Sequence, residues 1–459
     1  MKILVIGDVI MDINYFANSV RTASEAQIPV YNIFDTQFIL GGAGNVAKNI
    51  KNLNIDIDFI SVIGDDYYGR KIKKILNQSK IQNKLFIDEN RLTTQKYRIF
   101  KDNKIVNRHD FETKNNINAI IELQIINFVK EHIINYDAIV FSDYNNGVLT
   151  VNLCRFIIEQ ANLMNTPVFV DPKINNIEKY LNCFCFKPNM KESHILTNES
   201  ELFNIFSSIK NKTNAKNIVI TDGENGIYLN SPNNFFKSEK KNAIDVTGAG
   251  DVALCILLYV WLQEKNMSLA CEMANYICGK SVETIGNYNI SINDINEFYL
   301  KNKIIYFDNN EEKLNNIIKL KKNNKLVFTN GCFDIIHSAH MKLLKFCRNK
   351  GDIFILGLNS DNSIKKNKGK NRPINNEKER IDFLTSLEFI DSIIIFDDET
   401  PNNLIKILKP NILIKGGDYK KDEIIGREYA DETVIFDYIN EKSTTNIIKK
   451  INQSNTLNI

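Results

Sequence analysis

The stretch Asp245-Val246-Thr247-Gly248-Ala249-Gly250-Asp251 leads straight into an apolar run over 252–262. Gly248 and Gly250 leave the backbone free to turn its N–H groups toward one point, and a helix starting at Asp251 adds the positive end of its dipole. Such a turn holds an anion. Gly248, Ala249 and Gly250 are therefore a candidate anion hole, and Asp251 is a candidate base for a hydroxyl that attacks a phosphoryl group. A plain helix N-terminus with an Asp in its first turn explains the same residues without chemistry.

Outward from this stretch, apolar runs that end in polar residues recur. Residues 2–6 run into Gly7-Asp8; D-A-I-V-F-S-D-Y ends at Tyr144, T-P-V-F-V-D-P-K at Lys173, F-C-F-K-P-N-M-K-E at Glu192 and N-I-V-I-T-D-G at Gly223. Strand then helix, repeated, predicts an α/β fold whose parallel sheet presents ligands to its carboxyl edge. Asp143, Asp171, Lys173, Asn189, Glu192, Thr221 and Gly223 are expected on that rim, with Asp12 and Asn14 just beyond the first strand. Singly, each is also explained as a turn residue or cap. Gly41-Gly42-Ala43-Gly44-Asn45 opens a helical pattern, but its spacing is not G-x-G-x-x-G, so no dinucleotide site is read. β-branched and basic residues alternate over 93–110, which predicts a half-exposed hairpin and a candidate lid.

At 459 residues the chain has room for two or three domains. A formal net charge of +3 is too small to mark a nucleic-acid or membrane surface, so neither partner is expected. Eight cysteines without a C-x-x-C pair predict a reducing compartment, and the apolar start K-I-L-V-I-G-D is unlike a secretory leader; the cytoplasm is expected. The run over 252–262 is about half a bilayer crossing and predicts a core helix.

The glycine cluster with Asn45, then P-N-M-K-E, T-D-G-E-N-G and D-V-T-G-A-G-D, in this order, resemble the ribokinase family of sugar kinases over residues 1–300. The resemblance implies a ribokinase-like three-layer sandwich with a β lid, and Asp251 as the base. It implies that Asn189 and Glu192, with Thr221 and Gly223, hold ATP and its Mg²⁺, and that Asp12, Asn14, Gly42 and Asn45 contact the sugar. A homodimer through the lid is expected with it.

A polar helical stretch, E-E-K-L-N-N-I-I-K-L-K-K-N-N, predicts a connecting segment over 301–322 between domains at 1–300 and 323–459. Beyond it, the strand K-L-V-F-T-N-G-C-F-D is followed by I-I-H-S-A-H-M-K-L-L, whose His337 and His340 would share one helix face. Zinc held with Cys332 and Cys347 is one reading, although the spacing matches no ordinary site; incidental helix histidines are a second. The third is a nucleotide phosphate site where the imidazoles stabilise charge as a phosphate attacks the α-phosphorus. N-S-D at 359–361, K-G-K-N-R-P at 368–373, K-G-G-D-Y from Lys415 and S-T-T-N-I-I-K-K from Ser443 agree with the third, and no metal caged by protein ligands alone is expected.

Together these motifs resemble the cytidylyltransferase-like nucleotidyltransferases, which implies a Rossmann-like α/β domain. His337 and His340 would then catalyse, while Asn330, Gly331, Phe333, Asp334, Lys368, Arg372, Gly416, Ser443, Thr444 and Thr445 hold nucleotide and phosphates. Class I aminoacyl-tRNA synthetases share an H-x-G-H element but need a large tRNA-binding region and a more basic surface. Here Ala339 stands where that element has Gly.

A kinase followed by such a transferase resembles the bifunctional heptose-phosphate kinase and adenylyltransferase family of lipopolysaccharide synthesis. The resemblance implies ATP and heptose phosphates as partners: phosphorylation of heptose 7-phosphate at C1, then transfer of AMP to heptose 1-phosphate. That family carries Lys in S-D-Y-x-K-G where this sequence has Asn146, so the cation for the 7-phosphate is expected from Arg98, Arg108 or Lys173. A cytidylyltransferase for a polyol phosphate fused to another sugar kinase, and a nucleotide-binding regulator without turnover, stay open as alternatives.

Overall fold

The structure is a computed structural model that describes residues 1–436 apart from 103, 174, 175, 240, 242, 285, 308–313, 315–317, 319, 320, 322, 323, 418 and 419. Its contacts divide the chain into two compact units, Met1–Ile295 and Asn296–Ile459.

The strands of the first unit are β1 (Lys2–Gly7), β2 (Val9–Thr22), β3 (Pro29–Gly42), β4 (Asp56–Ile63), β5 (Gln82–Ile87), β6 (Gln95–Lys101), β7 (Lys104–Phe111), β8 (Ala138–Ser142), β9 (Val168–Asp171), β10 (Cys185–Phe186), β11 (Asn217–Thr221), β12 (Gly226–Leu229) and β13 (Phe235–Lys237). Nine of them form one sheet in the order β13-β12-β11-β10-β9-β8-β1-β4-β5. Every pairing from β5 to β11 is parallel, and only β12 and β13 run antiparallel at the far edge. Parallel strands buried on both faces need continuous apolar runs, which is why β1 reads K-I-L-V-I-G. Leu4 and Ile6 face a core shared with the helices Ala119–His132, Val151–Leu163 and Leu202–Thr213. Ile3 and Val5, equally buried, point to the other side.

The helix Ala249–Glu264 is the expected core helix, packed against Ala43–Asn52 and Met267–Ser281. It is apolar nearly all round because it is covered nearly all round: Val252, Leu254, Ile256, Leu257 and Leu258 are wholly buried. Truncating any of these leucines to Ala would cost about 2–5 kcal/mol. The strand order reverses between β1 and β8, so the crevice opens where Asp8 and the S-D-Y segment end their strands.

The lid is larger than the hairpin the sequence suggests. β6 and β7 pair in register Gln95↔Phe111, but β2 and β3 complete a four-stranded sheet in the order β3-β2-β6-β7. Asp12 and Asn14 therefore sit on a strand of 14 residues rather than in a turn. The mixture of polar and apolar residues in β2 and β3 hides their length, because the tip of β3 is exposed on both faces.

The second unit holds β14 (Ile304–Tyr306), β15 (Leu326–Gly331), β16 (Ile353–Asn359), β17 (Ser392–Phe396), β18 (Ile412–Gly416) and β19 (Glu432–Phe436) in a parallel sheet ordered β14-β17-β16-β15-β18-β19. Val327 faces one core with Leu343, Leu344 and Cys347; Leu326 and Phe328 face another with Leu404, Ile405 and Leu408. Ile304–Tyr306, inside the expected connecting segment, is instead an edge strand: its Ile-Ile-Tyr pairs with Ile393, Ile394 and Ile395 of β17. The order reverses between β15 and β18, which puts the end of T-N-G-C-F-D at the switch point.

Candidate functional site

In the first unit the helix Ala249–Glu264 begins after Gly248, whose φ of 77° a side chain would strain. Asp251, in the first turn, is 4% exposed. Its Oδ2 accepts from Asn45 Nδ2 at 2.7 Å and its Oδ1 from the Tyr144 hydroxyl at 2.7 Å. Burial pushes its carboxyl up, while Asn45, Tyr144 and the Lys187 ammonium pull it back. The result is an ionisable carboxylate with two fixed donors and lone pairs to spare, on the wall of a cavity of about 580 Å³. That cavity also touches Gly248, Ala249 and Gly250 as well as Lys173, Asn189, Glu192, Thr221 and Gly223.

Asn45 reaches Asp251 because Gly41 and Gly42 let the chain bend from β3 into its helix. A Cβ on Gly42 would stand 2.4 Å from the Asp8 carbonyl, and one on Gly41 would stand 2.3 Å from Asp12 Oδ2. Asp12, Asn14 and Arg98 meet in a second, smaller pocket with Asn287 and Gly286. Asn14 Oδ1 is buried there without a hydrogen-bond partner among the described residues.

Asn189 and Glu192 form a capping box on the helix Met190–Thr197: Asn189 Oδ1 accepts from the Glu192 N–H at 2.8 Å and Glu192 Oε2 from the Asn189 N–H at 2.9 Å. The remaining oxygen, Oε1, accepts from Lys173 at 2.8 Å. Asp245 staples the loop, taking the Thr247 N–H and hydroxyl on one oxygen and the Gly286 N–H on the other.

The three expected phosphate cations are each already paired. Arg98 donates to Asp12 at 2.6 Å, Arg108 to Asp110 at 2.7 Å and Lys173 to Glu192. Burying the Arg98 guanidinium requires such a carboxylate beside it, whereas Arg108 and Lys173 are partly exposed. Sequence reasoning missed Tyr144 as a contact of Asp251, and missed Lys187, which is 2% exposed and bonded to Asp171 at 3.0 Å. A Cβ on Gly250 would lie 3.7 Å from Lys187 Nζ, so this ammonium stands beside the glycine turn. The K-P-N-M-K-E segment holds it one residue before the Pro, and that was the available signal.

In the second unit His337 and His340 come together, but not on one helix face. His337 is the extended N-cap (φ −138°, ψ 174°) of the helix Ser338–Arg348, and His340 lies in its first turn. Their rings stack at 3.9 Å, with Phe333 5.2 Å from His340. Burial, then His337 and Lys368, bring His340 down to about 4, so it is a neutral imidazole at physiological pH. Ala339 sits between the two, partly buried.

Asp334 accepts the N–H groups of Ile374 and Asn375 at 2.8 and 2.9 Å and pairs with Arg372 at 2.8 Å, folding the R-P segment over the histidines' loop. Asn330 and Gly331 end β15 and Gly416 ends β18 beside it; Lys368 ends the helix Asp361–Lys368. Asn330 Oδ1 is buried and unpaired among the described residues. Ser443, Thr444 and Thr445 lie outside the described residues. Cys347 is in the core, Cys332 Sγ turns toward Asn359 Oδ1 at 3.9 Å, and among the described residues no group of three or more His, Cys, Asp or Glu could hold a metal. The sequence also hid Arg380, which donates to the carbonyls of Cys332 and Asn359 at 2.8 Å and to Asp361 at 2.7 Å, tying the ends of β15 and β16 together.

Residues 1–294 match the model of the pfkB family of carbohydrate kinases, and 328–450 that of the cytidylyltransferase-like family. The chain is 38% identical over 474 residues to the Bifunctional protein HldE of Aliarcobacter butzleri, covering 100% of this chain and 98% of that one. It is 36% identical over 467 residues to the protein of the same name from a Nitratiruptor species, covering 98% and 99%. Among solved structures, a possible 1-phosphofructokinase from Thermotoga maritima superposes with a TM-score of 0.56 at 16% identity, over 65% of this chain and 97% of that one. Phosphofructokinase-2 from Escherichia coli gives 0.54 at 16%, over 66% and 99%. At this identity the likeness is one of fold.

Proposed function

The chain belongs to the family of bifunctional HldE proteins, its first 294 residues being a pfkB carbohydrate kinase, and from that premise we infer that it carries out two steps of ADP-heptose synthesis for lipopolysaccharide. The kinase unit phosphorylates heptose 7-phosphate at C1. The C1 oxygen forms a bond to the γ-phosphorus of ATP, the bond from that phosphorus to the β,γ-bridging oxygen breaks, ADP leaves, and the hydroxyl proton goes to Asp251. The backbone turn at Gly248, Ala249 and Gly250, with Lys187 beside it, holds the transferring group.

In the transferase unit an oxygen of the sugar 1-phosphate forms a bond to the α-phosphorus of a second ATP and pyrophosphate leaves. His337 and the neutral His340 hold oxygens of the crowded phosphorus, with Arg372 and Lys368 near the departing phosphates. The observation that carries the reading is that one chain holds both a donor-clamped carboxylate at a glycine-turned helix start and a stacked histidine pair at a sheet's switch point.

Mg²⁺ fits as a passenger of ATP rather than of a protein cage: Asn189 Oδ1 and both Glu192 oxygens are engaged, and Mg²⁺ prefers phosphates and water with one or two carboxylates. When bound it neutralises phosphate charge. Glu192 Oε1, shared with Lys173, is the carboxylate oxygen that would meet it.

The lid supports a homodimer. Val20, Ile28, Ile33, Phe34, Ile105 and Val106 are exposed on β2, β3, β7 and the turn between the first two, an apolar surface that a second lid would cover. Phe34→Glu is expected to halve the mass in sedimentation equilibrium. Among the described residues no helix is long and apolar enough to cross a membrane, and the free cysteines fit a cytoplasmic protein. Incubation with ATP or CTP and a panel of sugar phosphates, read by mass spectrometry, tests the assignment: a transferase preference for CTP, or nucleotide binding without product, would overturn it.

A further inference from the structure

Both oxygens of Asp251 are tethered from different parts of the first unit. Asn45 comes from the helix that follows β3, and Tyr144 from the loop that closes β8, each donating at 2.7 Å. The Tyr144 loop is itself fixed. Asp8, at the end of β1, accepts the N–H groups of Tyr144, Asn146 and Val148 at 2.8, 3.2 and 3.1 Å, and the neighbouring Asp143 is held by Lys179 and Tyr180. Two ammonium groups approach the ring: Lys96 of β6 lies 5.5 Å from its centroid and Lys173 lies 5.3 Å. One side chain therefore touches the base, a lid strand and the segment that holds Glu192.

We propose that Tyr144 is a positioning residue for the kinase base: its hydroxyl fixes the plane of the Asp251 carboxylate beside the glycine turn for the incoming sugar hydroxyl. The inference rests on Asp251 acting as that base. Without Tyr144 the carboxylate would keep one tether, at Asn45, and could swing about it. Tyr144 and Asp251 line the same cavity, so the sugar arrives on a carboxylate whose orientation is already set.

The charged surroundings of Asp251 favour a donor at this point. Burial, and more weakly Asp12, oppose the ion, whereas Asn45, Tyr144 and then Lys187 favour it; Asp171 and Cys255 also face it, and Lys96 and Lys173 lie beyond the Tyr144 ring. Tyr144 keeps its proton throughout, since burial and then Asp251 push its phenol well above the usual value.

The test is Tyr144→Phe in the full chain, which keeps the ring and both cation contacts and deletes one donor. Kinase kcat/KM for heptose 7-phosphate is followed against pH, with adenylyl transfer by the same preparation and a thermal melt as checks that the chain is intact. The acid limb is expected to move up by about one to two pH units, as loss of a hydrogen bond to a charged group requires. KM for ATP is expected to stay within about threefold. A uniform fall in kcat with the limb unmoved is what a merely structural role would give, and it would overturn the proposal. The two failures are separable: a wild-type protein inactive on heptose 7-phosphate sinks the functional reading, whereas an active wild type with a coincident Tyr144→Phe profile sinks only the role of Tyr144.

Discussion

Asp251→Asn keeps the shape of the side chain but removes the carboxylate that takes the proton. Two losses follow from the geometry. General-base catalysis contributes about 10²- to 10⁴-fold, and that part of the kinase rate should vanish. Asn45 and Tyr144 both donate to this residue at 2.7 Å, so an amide, with one oxygen and one NH₂, sets a donor against a donor on one side. An orphaned buried donor costs about 1–3 kcal/mol, here near the lower end because Tyr144 borders the cavity and can turn into it. The expected result is a kinase kcat reduced by about 10²- to 10⁴-fold with KM for ATP nearly unchanged. ADP formation from heptose 7-phosphate measures the loss, and pyrophosphate release from heptose 1-phosphate in the same sample shows that the transferase unit is unaffected. A loss below about tenfold, or roughly 1.4 kcal/mol of barrier, would remove Asp251 from the role of base. The wild-type profile carries a companion sign: the base acts deprotonated and burial raises its carboxyl, so kinase kcat/KM should fall as pH drops through a value above the ordinary carboxylate range.

Three further outcomes follow. His340→Ala should lower adenylyl transfer by about 10²- to 10³-fold and leave the kinase unchanged; because burial holds His340 near 4, the wild-type transferase should show no break from this residue near pH 6.5, and titration of its ring by NMR checks that. Lys415, the residue before the end of β18 in the K-G-G-D-Y motif, has its ammonium brought down to about 8 by burial, partly offset by Cys332, so transferase kcat/KM should fall as pH rises through about 8 and its charge is lost. Lys415→Arg, charged at every pH tested, should abolish that limb. Arg380→Leu removes the donor shared by Cys332, Asn359 and Asp361, and denaturant unfolding of the second unit should show a loss of about 3 kcal/mol, at the low end for a broken buried pair because Asp361 is 30% exposed.

The parallel sheets and the central helix were legible because burial on both faces writes itself as unbroken apolar runs, as in β1 and in residues 252–262. The rim residues Asn189, Glu192, Thr221 and Gly223 were legible for a related reason: each follows such a run, and they do line one cavity with Asp251. β2 and β3 were not, because a lid strand packs on one face or neither and carries no period strong enough to read. Side-chain pairing was also hidden. Nothing in the spacing of Asp12 and Arg98, 86 residues apart, says that they neutralise one another, and the N-x-x-E pair is both a capping box and a cavity wall. The histidines were expected three apart on a helix; a cap residue, extended rather than helical, brings the rings together by a route that periodicity does not describe.

The two steps proposed for this chain do not follow one another directly. A second phosphate adds about −1.5 to −2 charges near neutral pH, and a transferase pocket formed for a free C7 hydroxyl would bury that charge without a partner. The most direct test incubates the full chain with heptose 7-phosphate, ATP and Mg²⁺, with and without an added phosphatase specific for the C7 phosphate, and follows products by mass spectrometry. The expected result is accumulation of the 1,7-bisphosphate alone, converted to ADP-heptose only once the phosphatase is present. Rapid formation of ADP-heptose, or of its 7-phosphate, without phosphatase would contradict it.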